Sequence, residues 1–299
     1  MKATGALLVI CCSIAASAQV QISVSEPSYR SHDKIDAGQK SIEHGIESRG
    51  TTTEEQHLID MGKNENVMAE AMRTKNYSLI PESIARNGMI GLDGFSQSRA
   101  NALYASLVKH DTYLCPTLVT QHWVAYGDDL AKAHDPRERF IRPETLVYWQ
   151  PSMNMLTKYR TSAYVEYTKR NYAAHLRQIP REEAAGVQLL TGTDLTVPYT
   201  YPGSSVHDEM KLFVTAGLTP LQALQTAVTH PVKYFGLEQT MGSVRPGKLA
   251  ELVLLDGNPL LDIGNTDRIA AVITHGKLIR KPELDEMLLQ AERVAHNSK

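Results

Sequence analysis

The chain has 299 residues, 42% of them hydrophobic and 21% charged, which supplies enough apolar material for a sizeable globular core. Its formal net charge of −2 gives no basic field to hold a phosphate backbone, and this excludes nucleic acid from the expected partners. Cys11 and Cys12 fall within the first eighteen residues and Cys115 stands alone, so the body offers neither an internal disulfide nor a cysteine-based zinc spacing.

Residues 1–18 differ from the rest. Lys2 is their only charge, 6–18 is almost wholly apolar or small, and Ala16-Ser17-Ala18 has the small-x-small form of a signal-peptidase site. The run is too short to span a bilayer. A secretory signal is expected here, placing the mature protein outside the cell or in the periplasm; the alternative is a buried strand or helix of the fold itself.

The body, 19–241, alternates short apolar runs with amphipathic stretches, the pattern of an α/β protein with parallel strands. A helix is expected over 29–37, and strands over 40–44, 112–119 and 187–193. Each apolar run ends in a polar residue before a loop, which is where a (β/α) barrel carries its chemistry. Cys115, between Leu114 and Pro116, reads as a small core residue. The insertion 121–179 is rich in tyrosine and charge and contains a helix over 162–177, either packed or covering a pocket as a lid. Beyond Asp194, Tyr199 and Tyr201 either stack on a ligand ring or pack. A helix over 205–215 stops at Ala216-Gly217, and the next opens with Thr219 as N-cap and Pro220 at its first position. From 242 to 282 the chain is β-rich, with strands over 251–255, 269–274 and 277–279 around His275-Gly276. A terminal helix over 283–295 closes it, within a final segment 283–299.

Three segments resemble the amidohydrolase superfamily, in its imidazolonepropionase-like and prolidase-like branch. Ser41-Ile42-Glu43-His44-Gly45 is similar to the family's sixth-strand motif. Leu190-Thr191-Gly192-Thr193-Asp194 is similar to its eighth-strand motif. Ala216-Gly217-Leu218-Thr219-Pro220-Leu221-Gln222-Ala223-Leu224, followed by 242–256 with its Pro246-Gly247-Lys248 return, looks like the passage from strand eight into the family's β-sandwich. Tyr113-Leu114-Cys115-Pro116-Thr117-Leu118 is similar to the seventh strand.

The resemblance implies a partial (β/α)8 barrel of about strands five to eight, with a small β-sandwich remnant over 242–282. It implies a divalent metal, usually zinc, that lowers the pKa of bound water. Asp194 would ligate that metal and move protons, His44 would be a second ligand, and His207 would lie near the pocket mouth as a substrate or supporting group. The family's strand-one H-x-H pair has no counterpart in the sequence, and the expected fifth-strand histidine position falls among Ser23 and Ser25, with His32 on the expected helix. An incomplete metal site is therefore expected. The implied activity is hydrolysis of a carbon–nitrogen bond in a cyclic amide, N-acyl amino acid or dipeptide, completed by a second copy or by an N-terminal half. The alternative is a non-catalytic exported remnant or binding protein.

Overall fold

The computed structural model describes residues 7–8, 35, 38–44, 66–67 and 69–297. The expected signal apart from Leu7–Leu8, the expected helix over 29–37 apart from Ile35, and Ser23, Ser25, His32 and Gly45 lie outside the described residues.

Strand β1 (Leu7–Leu8) belongs to the C-terminal sheet described below. Strand β2 (Ser41–Glu43) pairs in parallel with β3 (Tyr113–Cys115), in the register Ser41↔Tyr113, Ile42↔Leu114 and Glu43↔Cys115. Helices α1 (Leu79–Asp93) and α2 (Gln97–Lys109) precede β3. On the other side of β3, Leu114 bridges Leu189 in parallel, and the N–H of Leu190 donates to the Leu114 carbonyl at 2.8 Å. Three adjacent parallel segments therefore run side by side. Ile42, Leu114 and Leu189 are buried in one core with Leu103, Leu107, Ile179, Met210 and Phe213.

The expected strand over 112–119 was too long, because β3 ends at Cys115 and α3 (Leu118–Ala133) begins three residues on. Leu118 and Val119 are apolar because they are buried at a helix start, and a short apolar run does not distinguish that from a buried strand. The expected strand over 187–193 is reduced to the single bridge at Leu189.

A short 3-10 turn at Pro136–Phe140 leads to α4 (Pro143–Trp149) and α5 (Met155–Lys158). The long α6 (Ser162–Ala184) runs seven residues past its expected end and passes through Pro180. It packs against α1 and α3, and Tyr172, His175, Ile179 and Glu182 are buried. Burial on that scale makes α6 part of the scaffold rather than a lid. Tyr199 and Tyr201 pack as well: their rings lie 5.4 and 5.7 Å from that of Trp149.

Helix α7 (Ser205–Ala216) ends at the left-handed Gly217, as the sequence predicts. Thr219 and Gln222 then form a reciprocal capping box at the start of α8 (Pro220–Ala227), which α9 (Thr229–Tyr234) follows. The β-rich unit is, among the described residues, one four-stranded antiparallel sheet. Its order is β1, β4 (Leu252–Leu255), β5 (Ile269–Thr274) and β6 (Lys277–Arg280). Leu7–Leu8, inside the run expected as a signal, pairs with Leu254 and Val253. Positive φ at both His275 and Gly276 joins β5 to β6 in the turn that two-residue hairpins favour. Helix α10 (Lys281–Asn297) packs against β5 and β6.

Candidate active site

Each of the three parallel segments is followed by a residue of positive φ: His44 directly after β2, Thr117 two residues after β3 and Asp194 five residues after the Leu189 bridge. His44 has φ 69°, Thr117 φ 51° and Asp194 φ 49°, the left-handed region that costs a residue with a Cβ about 1–2 kcal/mol. Strain of that size persists only where the surroundings enforce it. Here it swings three polar side chains out of the strand direction and toward one another at the C-terminal ends of the segments.

The His44 Nε2 lies 3.9 Å from the Asp194 Oδ2, and both side chains are about half exposed. The His44 Nδ1 lies 2.9 Å from the Thr117 Oγ1. That hydroxyl donates its single proton to the Pro116 carbonyl at 2.7 Å. With that proton on the Pro116 carbonyl, the hydroxyl accepts from His44, and a neutral imidazole then carries its proton on Nδ1 and turns Nε2 toward Asp194 as an acceptor. Two acceptors face each other across 3.9 Å. A water oxygen at ordinary hydrogen-bond distance, about 2.8 Å, reaches both and can donate one proton to each.

The backbone around the pair is held from several sides. The His44 N–H donates to the Cys115 carbonyl at 3.0 Å, and Gln121 Nε2 donates to the His44 carbonyl at 3.2 Å. Thr120 Oγ1 donates to the Thr193 carbonyl at 3.1 Å, tying α3 to the residue before Asp194. Gly192 is a close-approach position: a Cβ there would sit 2.3 Å from the Cys115 Sγ. Burial pushes the Cys115 thiol well above its usual pKa, which suits a packed side chain and not a nucleophile.

Glu209, on α7, was not singled out by its sequence. Its side chain is fully buried, and its two carboxyl oxygens accept from the Leu118 and Val119 N–H groups at 2.8 Å each. Burial raises its pKa from 4.5 to about 8, against the lowering effect of those two N–H donors. The signal that could have found it is spacing: Ser205, Glu209 and Phe213 are buried at successive i, i+4 positions, so a carboxyl group stands in the inward stripe of an amphipathic helix. Thr117 was within a quoted motif, but nothing marked its hydroxyl as a partner for His44.

His207, the third residue expected at the site, is paired with the β-rich unit. Its Nδ1 lies 3.6 Å from the Asp267 Oδ1, and burial lowers its pKa. A cavity of about 260 Å³ is lined by Val119, His122, Arg137, Tyr199, Tyr201 and Lys211, among others, and by neither His44 nor Asp194. Its charges are mutually paired, Arg137 reaching Asp135 at 2.7 Å and Asp208 at 2.5 Å and lying over the Tyr201 ring.

An unprotonated imidazole nitrogen and a carboxylate suit a divalent metal chemically. Catalytic zinc normally takes three protein ligands, and no group of three or more His, Cys, Asp or Glu is assembled among the described residues. Those residues fit part of such a centre and not a whole one.

The family model described as "Amidohydrolase family" matches residues 12–279. The chain is 38% identical over 66 residues to an adenine deaminase of Desulforamulus reducens, covering 22% of this chain and 10% of the relative. It is 24% identical over 144 residues to adenine deaminase 1 of Desulfotalea psychrophila, covering 48% of this chain and 23% of the relative. Among solved structures, a bottromycin amidohydrolase superposes at a TM-score of 0.55 with 17% identity, over 91% of this chain and 52% of the other. The chain thus spans less than a quarter of these two curated relatives and about half of that structure.

Proposed function

We propose a function from the premise that this chain belongs to the amidohydrolase family: it hydrolyses a carbon–nitrogen bond in a small molecule, with His44 and Asp194 at the reacting end. The observation that carries this is the convergence of an imidazole nitrogen and a carboxylate oxygen to 3.9 Å beyond the ends of parallel segments. A water donating one proton to each is left with its lone pairs free to attack a carbonyl or amidine-type carbon. Asp194 takes the proton of that water and delivers it to the departing nitrogen, a general acid–base role worth about 10²–10⁴ in rate. His44 orients the water. The family generally uses a divalent metal, and zinc would suit this nitrogen–oxygen pair, which supplies two of the three protein ligands it normally takes.

The substrate class that the family resemblance implies is a cyclic amide, N-acyl amino acid or dipeptide. The deaminase relatives add adenine, whose exocyclic C–N bond undergoes the same attack by water. Release of ammonia or amine from a panel of these compounds tests the proposal. Turnover of at least one member is expected, and its absence with and without added zinc would refute the hydrolase.

A further inference from the structure

We infer that Glu209 is a positioning residue for His44, acting through the helix start that it caps and through the Thr117 hydroxyl. The inference rests on His44 being a site residue, as proposed above. It begins from a misplaced cap. Thr117 occupies the N-cap position of α3, where a threonine hydroxyl ordinarily accepts from the N–H two or three residues on. Thr117 makes no such bond. The first two N–H groups of α3 are taken instead by Glu209, reaching in from α7 with one oxygen on each. With its usual task done by another side chain, the hydroxyl is free to turn outward, donate to the Pro116 carbonyl and accept from His44.

The arrangement is costly for a cap alone. A fully buried carboxyl group gives up its hydration, which two N–H bonds from a helix start only partly offset. A self-capping threonine satisfies one of the same donors without burying a carboxyl group. What Glu209 adds is a fixed position for residue 117. By holding the N–H groups of 118 and 119, it sets the left-handed turn at Thr117, φ 51° and ψ 50°, and with it the direction of the hydroxyl. The hydroxyl in turn selects the ring nitrogen of His44 that carries the proton.

Nitrogen-15 NMR of the histidine rings, at a pH of about 8.5 where an ordinary imidazole is neutral, reads this directly and needs neither substrate nor metal. Failure of the hydrolase proposal and failure of this relay are therefore separable. The unmodified chain is expected to show His44 as a single Nδ1–H tautomer. Glu209→Gln keeps the side chain's shape but opposes one N–H with an amide N–H, and it should shift the His44 tautomer ratio about two- to tenfold toward Nε2–H, the worth of one net hydrogen bond. Thr117→Val, which leaves the Glu209 cap in place, should give the same shift, and Thr117→Ser should restore the original tautomer. His230 is the internal control, since its Nδ1 contacts the Leu189 carbonyl at 2.8 Å and should not change. A purely structural Glu209 would lower stability and leave the His44 tautomer alone, overturning the inference. Should Glu209→Gln fail to fold, an unchanged tautomer in Thr117→Val would overturn it by itself.

Discussion

His44 and Thr117, at the ends of neighbouring parallel segments, are joined by a 2.9 Å contact in which the imidazole is the donor, because the threonine proton is already committed to Pro116. The remaining ring nitrogen is thereby left as a bare acceptor 3.9 Å from a carboxylate oxygen of Asp194. An acceptor pair at that separation is poised for a water or a cation, not for a direct bond.

Thr117→Val removes the acceptor for the His44 Nδ1 proton while keeping the β-branched shape. Catalytic efficiency should fall by about two- to tenfold, the kinetic equivalent of one net hydrogen bond. Thr117→Ser should recover most of it. Steady-state kinetics of both variants on the best substrate of the panel provide the check.

Glu209 makes stability depend on pH with a definite sign. Its pKa rises from 4.5 to about 8 on folding, so between those values the folded chain binds more protons than the unfolded one. Its contribution is fully present at low pH and is lost as pH rises through about 8. Relative to Glu209→Gln, the unmodified chain should lose on the order of 4 kcal/mol between pH 4.5 and 8.5. Urea unfolding of both proteins at those two pH values would measure it, and parallel stability profiles would contradict it.

Gly192→Ala places a methyl group 2.3 Å from the Cys115 Sγ, in contact with a buried side chain that has little room to move. A loss of about 1–3 kcal/mol is expected from overpacking. Cys115→Ala should relieve part of that loss when combined with it. A double-mutant cycle by thermal or urea unfolding reads the coupling, and simple additivity would show that the clash is absorbed elsewhere.

Much of the C-terminal architecture was legible in the sequence because local chemistry dictates it. Gly217, the Thr219 cap with Pro220, and the His275-Gly276 turn each act within a few residues, and the structure places helix ends and a hairpin there. The strands were harder to bound. In 112–119 the apolar run crosses from β3 into α3, and only Pro116 and the left-handed Thr117 separate them. Tyr199 and Tyr201 were open alternatives until Trp149, some fifty residues earlier, proved to be their packing partner.

At the site, the motifs led to His44 and Asp194, which the fold brings together from 150 positions apart in the chain. They did not lead to Glu209, since a glutamate in a helix ordinarily marks a solvated face, and its function as a cap lies on another helix ninety residues away. Nor did they fix the orientation of His207, whose partner Asp267 comes from a turn in the β-rich unit. Long-range hydrogen bonds of this kind have no local sequence pattern.

The most direct measurement compares turnover of the purified chain with that of Asp194→Asn on the panel of adenine, N-acyl amino acids, dipeptides and cyclic amides, with zinc supplied. An amide at 194 keeps the size of the side chain but cannot take a proton from water, so the substitution should lower the rate about 10²- to 10⁴-fold with the fold unchanged by circular dichroism. Equal turnover by the two proteins would contradict the role given to the His44–Asp194 pair.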